Sequence, residues 1–154
     1  MAAEMSERLS VLRDEALNCA QFGENAPGAE VFDAILTRLA HLGETDPGLD
    51  LSLQDGLSRR LAWGESPATV IVDCDLVCKR LIAAVQRSFP DPSEAIAVFA
   101  IITDVACTSS RHIARMAVQR SSKERGLERR ELMVQRQLSA ALEHQEDLIR
   151  KLQA

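Results

Sequence analysis

One stretch decides the fold of this chain: residues 91–116, which have the sequence DPSEAIAVFAIITDVACTSSRHIARM. It opens with Asp91 as a helix N-cap, Pro92 at the first helical position and Glu94 at the place that completes a capping box. Apolar residues follow at spacings of three and four, which predicts one amphipathic helix. The predicted stripe is Ile96, Phe99, Ile102, Val105, Ala106, Ser109, Ile113 and Met116. No proline follows, so this helix is expected to outrun a compact bundle.

The same spacing recurs upstream, and four more helices are predicted from it, over residues 4–21, 29–42, 50–63 and 67–89. Asp50 and the pair Ser66-Pro67 supply N-cap signals for the last two. Aromatic residues make up only 3% of the chain, which argues against a β-sandwich or a barrel. We therefore expect an all-α protein, an antiparallel helical bundle of about five helices with a long C-terminal helix extending as a coiled coil.

Downstream, residues 126–154 carry the spacing of a coiled coil, with two neighbouring apolar stripes and charged flanks. The first stripe is Leu138, Leu142, Ile149 and Leu152, with Gln145 as the polar seam position, and the second is Leu127, Val134, Ala141 and Leu148. We expect a helical bundle over 1–125 and a coiled-coil signalling helix over 126–154. The alternatives are a helix that folds back on its own bundle and a frayed tail, and Gly126 leaves room for a break.

Charge is distributed unevenly along the chain, whose formal net charge is −5. Residues 1–55 hold 11 acidic and 3 basic residues, whereas residues 111–154 hold 6 acidic and 10 basic ones. A molecule with a net negative charge is a poor candidate for a nucleic-acid coat. The basic helix face over residues 111–136 is a candidate contact surface for a protein partner, through Arg111, Arg115, Arg120 and Lys123.

The sequence indicates no secretion signal and no membrane span. The longest uninterrupted apolar run, residues 95–102, is far shorter than a bilayer requires. The N-terminus has neither the basic segment nor the apolar segment of a signal peptide. The four cysteines lie in apolar or helical surroundings, as reduced thiols do. We expect a cytoplasmic protein of bacterial type.

No catalytic motif is found: Walker loop, G-x-G-x-x-G, H-E-x-x-H, C-x-x-C and G-x-S-x-G are all missing from the sequence. Three cysteines with a histidine could bind zinc, and His112 could ligate haem. The candidate ligand or redox residues are Cys74, Cys78, Cys107 and His112. Core packing suits the cysteines better, and a surface position suits the histidine. We expect no cofactor, no metal and no enzymatic activity.

Residues 52–82, SLQDGLSRRLAWGESPATVIVDCDLVCKRLI, resemble the helical N-terminal domain of RsbT co-antagonist-type sensors, which also stands at the front of many bacterial sensor histidine kinases. The matching positions are Arg59, Arg60, Gly64, Ser66, Val70, Ile71, Asp73, Leu76, Lys79, Arg80 and Ile82. The chain departs from the family pattern at Gln54, where a histidine is common, and at Asp73-Cys74, which replaces an acidic–aromatic pair. The resemblance covers about residues 30–125 and implies a non-catalytic sensory or dimerisation module with no obligatory cofactor.

These observations favour a non-catalytic cytoplasmic signalling module that forms a homodimer. It would relay a conformational change through its C-terminal coiled coil to a fused output domain, such as a kinase or other regulator, or to a partner protein. The alternative is a stand-alone adaptor or anti-regulator that binds a protein through the basic 111–136 face. A third hypothesis is a sensor that binds haem, a metal or a small molecule in the bundle core.

Overall fold

The structure is a computed structural model that describes residues 2–23, 26–41 and 47–153. Within these ranges all regular secondary structure is α-helical, which confirms the predicted all-α class. The helices are α1 (Ala2–Val11), α2 (Arg13–Leu17), α3 (Cys19–Phe22), α4 (Ala29–Ala40), α5 (Pro47–Ala62), α6 (Pro67–Ser88) and α7 (Pro92–Gln153). The chain divides into two compact units, Met1–Met116 and Ala117–Ala154. The predicted start of a coiled coil at residue 126 stays a prediction.

The predicted single helix over residues 4–21 is wrong, because the described chain forms three short helices there. Leu12 has φ −85° and ψ 2°, and Asn18 adopts the left-handed conformation with φ 54° and ψ 46°. Asparagine tolerates this conformation because its short polar side chain can hydrogen-bond locally. Between these breaks, α2 buries both Ala16 and Leu17 completely. These breaks raise the number of described helices from the expected five or so to seven.

α4 is the central helix of the first unit. It packs against α1, α2, α5 and α6, and Arg38 forms an ion pair with Asp104 of α7. Its core side chains are completely buried: Val31, Phe32, Ile35 and Leu39. The spacing of three and four predicts a stripe of Val31, Ile35, Leu39 and Leu42 for this helix. It is confirmed up to Leu39, whereas Leu42 lies outside the described residues. The short α4 therefore supplies the surface on which the other helices of this unit assemble.

Proline determines where α5 and α6 begin. α5 begins at Pro47, so Asp50 lies inside its first turn and the prediction of Asp50 as N-cap is wrong. Proline is favoured at a first helical position because its missing N–H is not needed there. α6 begins at Pro67 as predicted, and the Ser66 hydroxyl oxygen accepts a hydrogen bond from the Thr69 N–H at 3.1 Å. The apolar residues that the spacing of three and four predicts to face the core are buried in both helices. They are Leu53, Leu57 and Leu61 of α5 and Val70, Cys74, Val77, Cys78, Leu81 and Val85 of α6.

α7 begins at Pro92, as the N-cap signal predicts. The Asp91 carboxylate accepts a hydrogen bond from the Ser93 N–H at 2.9 Å. The Glu94 carboxylate accepts one from Arg8 of α1 at 3.1 Å. The buried stripe of α7 is Ala95, Val98, Ile102, Val105, Ser109 and Ile113. The prediction that Ile96 belongs to this stripe is wrong, since Ile96 is 65% exposed. Successive residues of a helix lie about 100° apart, and Ala95 is the residue that faces the core.

α7 continues through Gly126 without a break. It is the one helix in the described ranges with the length and apolar composition to cross a membrane, and 28% of its most apolar window is buried. In the structure this apolar segment contributes Val98, Ile102 and Val105 to the core. One such helix is weak support for a membrane span, because the core helix of a soluble protein passes the same test. The cytoplasmic location stays a prediction.

Candidate functional site

A buried arginine links three helices of the first unit. Arg60, near the end of α5, is only 9% exposed, and a charged side chain is rarely buried unless it is paired. Its Nε lies 3.1 Å from Oε1 of Glu65 and 3.7 Å from Oε1 of Glu30 on α4. Its Nη2 donates to Asp73 on α6. We call these four residues the Arg60 cluster.

The electrostatics of the Arg60 cluster favour its ion-paired form. Burial by itself lowers the pKa of Arg60, but hydrogen bonds with Glu65 and Asp73 and the charge of Glu30 outweigh burial and raise it. In return, the hydrogen bond from Arg60 lowers the pKa of Glu65. Among the described residues, Nη1 of Arg60 is buried without a hydrogen-bond partner. The ion pairs of the Arg60 cluster thus connect α4, α5 and α6.

An open cavity of about 1250 Å³ lies beside the Arg60 cluster in the first unit. Its charged lining side chains are four acids and two bases: Glu30, Asp33, Glu65, Asp73, Arg59 and Arg60. Two exposed aromatic residues, Phe22 and Trp63, also line it. Three of these four carboxylates pair with Arg60, so Asp33 and Arg59 are the charged lining residues outside the Arg60 cluster.

The candidate histidine His112 makes a contact that the sequence did not indicate. Its Nε2 lies 2.8 Å from the Ser58 hydroxyl oxygen, which joins α5 to α7. A serine–histidine pair of a hydrolase also needs N–H donors for an oxyanion. Both residues lie inside helices, where the backbone N–H groups are used within the helix. The geometry therefore supports a helix-linking role for this pair.

The candidate thiols differ in burial. Cys74 and Cys78 are buried in the core, whereas Cys107 is exposed. Burial raises the pKa of Cys74 to about 12 and that of Cys78 to about 11. In the part of the chain that the structure describes, no three His, Cys, Asp or Glu side chains are placed to hold a metal ion. Core packing of Cys74 and Cys78 is thus confirmed.

Thiol labelling should separate these cysteines. In a Cys19→Ser protein at pH 8 we expect only Cys107 to react rapidly with an aromatic disulfide reagent, because thiolate is the reactive form and Cys74 and Cys78 are buried with raised pKa values. The released chromophore, followed by absorbance, should correspond to one thiol in the folded protein and three in denaturant. Adding Cys107→Ser should remove the rapid phase; a rapid phase that persists would contradict the burial of Cys74 and Cys78.

The second unit exposes a row of apolar side chains. Seven large apolar residues on one side of its helix are between 47% and 85% exposed: Leu127, Val134, Leu138, Leu142, Leu148, Ile149 and Leu152. Together with Ala141 and Gln145 they fall within an arc of about 120° of the helix, and we call these nine residues the apolar seam. Arg130 and Glu131 fall inside the same arc, so the uninterrupted part of the apolar seam begins at Val134.

The predicted basic contact residues are all exposed, with Arg111 and Arg115 in the first unit and Arg120 and Lys123 in the second. Arg120 forms an ion pair with Glu124 at 3.2 Å. At about 100° per residue, Arg120 and Lys123 lie on the side of the apolar seam. Other arginines of the second unit lie on the opposite side, so its basic residues occupy two sides that the prediction did not separate.

Two members of the Arg60 cluster, Glu30 and Glu65, were missed by the sequence analysis. No local signal marks them, because Glu30 lies on another helix and Glu65 lies in the turn after α5. Arg60 and Asp73 carried part of the family resemblance, and the structure places them in contact.

Comparisons with protein families, with curated proteins and with solved structures find no match to this chain. The resemblance to RsbT co-antagonist-type sensors therefore stays a prediction.

Proposed function

We propose that the chain is a non-catalytic signalling and dimerisation module whose residues 126–154 pair with a second copy as a coiled coil. The observation that supports this most directly is the apolar seam, with seven large apolar side chains exposed on one side of a helix. Contiguous exposed apolar surface of this kind marks interaction sites. The seven-residue repeat is the spacing by which helices pair, and a second copy presents the same spacing.

In the proposed mechanism, the helices over residues 70–85 and 96–116 have two packing arrangements, and a stimulus shifts the balance between them. α7 runs from Pro92 to Gln153 as one helix. A rotation of its first part would therefore turn the apolar seam and change how two copies pair. A fused output domain or a partner protein in the cytoplasm would respond to that change.

Light scattering on the full chain tests the pairing. We expect the mass of a dimer for the unsubstituted protein and of a monomer for Leu138→Asn/Ile149→Asn. Loss of four buried side chains per dimer should raise the dissociation constant by about 1000-fold or more. The matched control is Leu132→Asn/Met133→Asn, since these residues are 55% and 59% exposed and lie about 120° or more from Leu138 on the same helix.

The control should keep the mass of a dimer, because its substitutions leave the apolar seam intact. Circular dichroism should show similar helix content for both variants. The proposal would be removed if the unsubstituted protein had the mass of a monomer at about 50 µM, or if the two variants dissociated equally. Pairing through the apolar seam requires a dimer that depends on protein concentration and on the residues of the seam.

A further inference from the structure

The helix of the second unit has another distinctive side, opposite the apolar seam. At about 100° per residue, six large or charged side chains of residues 117–136 fall within an arc of about 100° centred half a turn away from the seam. They are Val118, Arg125, Arg129, Leu132, Met133 and Arg136, and all are exposed. We call these six residues the arginine face.

In the described part of this helix, the three arginines of the arginine face are not paired with acids. Glu124, Glu128 and Glu131 lie about 100° or more around the helix from Arg129, whereas Glu128, three residues after Arg125, lies about 60° from Arg125. Arg125 donates only to the hydroxyl and carbonyl oxygens of Ser121. Within residues 117–153, as the structure describes them, none of its three arginines forms an ion pair. An acidic partner would thus meet three unneutralised charges on one side of a rigid element.

The pattern of the arginine face suits an α-helix as partner. Its arginines are spaced four and seven residues apart, which corresponds to rises of about 6 Å and 10 Å along the axis. Acids spaced four and seven residues apart on a facing helix could meet them. The apolar members Val118, Leu132 and Met133 are 65%, 55% and 59% exposed, and they would pack against apolar residues between those acids.

Phosphate-bearing partners fit the arginine face less well. Further along the same side of the helix, Glu143 and Asp147 interrupt the positive charge before Arg150 and Lys151 follow. A uniformly anionic nucleic acid or lipid surface lying along this whole side would meet these two carboxylates, whereas a short acidic helix opposite residues 118–136 would not.

We infer that the arginine face docks an acidic amphipathic helix of a partner protein. The inference does not rest on the proposed function, because the apolar seam lies on the other side of the helix. The arginine face would be available in a monomer and in a dimer alike.

A designed peptide tests this docking. The probe is a fluorescein-labelled synthetic helix with glutamates at positions i, i+4 and i+11 and leucines between them on the same side, and its scrambled version has the same composition. Fluorescence anisotropy with the full chain should show saturable binding of the probe and at least tenfold weaker binding of the scrambled peptide. Arg125→Gln/Arg129→Gln/Arg136→Gln should weaken binding of the probe about tenfold or more, because three charge pairs are lost.

The matched control is Arg120→Gln/Lys123→Gln/Arg130→Gln, which removes the same charge from other sides of the same helix. It should change binding by less than about twofold, apart from the weak long-range effect of net charge. Equal weakening by both variants, or no binding of the probe, would overturn the inference. Tighter binding of duplex DNA or of phosphatidylserine-containing vesicles than of the probe would overturn it as well and would identify a phosphate-bearing partner.

Discussion

Replacing Arg60 with methionine should lower the free energy of unfolding by about 3–5 kcal/mol, as is typical when one partner of a buried ion pair is removed. The substitution leaves Glu30, Glu65 and Asp73 close together without the guanidinium that they share. Methionine fills much of the same volume, so the loss reports charge rather than a cavity. Urea unfolding followed by circular dichroism measures it.

Arg59→Met is the matched control. Arg59 is the exposed neighbour of Arg60, and its side chain donates to the carbonyl oxygen of Asp55 at 3.4 Å. We expect a change within about 0.5 kcal/mol, as for most surface substitutions. Neutralising the three carboxylates in the Arg60→Met protein should restore part of the lost stability, since the repulsion is then removed. Equal small losses of unfolding free energy for Arg59→Met and Arg60→Met would show that the Arg60 cluster does not stabilise the packing of these helices.

Gly28→Ala should destabilise the first unit by about 2–4 kcal/mol, from backbone strain and overpacking together. Gly28 precedes the central helix α4 and has φ +83°, a left-handed conformation that alanine rarely adopts. A Cβ atom there would lie 2.5 Å from Cγ2 of Val77 on α6. The absence of a side chain therefore lets the start of α4 approach α6. Thermal and urea unfolding both measure the loss.

Gly64→Ala separates the cost of backbone strain from the cost of overpacking. Gly64 also has a positive φ, +96°, but a Cβ atom there would have no neighbour within 4 Å. Its alanine variant should lose only the strain, about 1–2 kcal/mol. Adding Val77→Ala to Gly28→Ala should relieve the clash while removing some packing. If Gly28→Ala costs no more than Gly64→Ala, close approach of α4 and α6 is not what requires glycine at this position.

Signals within a few residues predicted much of the fold correctly. Ser66 and Pro67 mark the start of α6, and the 3–4 spacing identifies its buried stripe. Both follow from helix geometry alone: the N-cap satisfies a free N–H, and the apolar side of an amphipathic helix turns inward. The apolar seam could be located in the same way, because its spacing is a property of one helix. That spacing does not by itself identify a partner.

Other features depended on competition between local preferences and packing. Apolar spacing alone predicted one helix over residues 4–21, yet Asn18 turns left-handed and Leu17 reaches the core. Asp50 was expected as the N-cap of α5, yet the helix begins at Pro47, a residue type favoured at the first helical position. Burial of apolar surface outweighs the modest free-energy differences among helix propensities, so the breaks within residues 4–21 are decided by what that segment packs against.

The all-helical class, the start of α6 and the two-sided pattern of the last helix were determined by local sequence, since each depends on groups within a few turns of one another. The Arg60 cluster, the Ser58–His112 contact and the close approach at Gly28 were decided only by the tertiary structure. Their members are far apart in the chain, and hydrogen bonds and ion pairs form only at short range. Which charged or polar groups become partners is therefore settled when the apolar core brings the helices together.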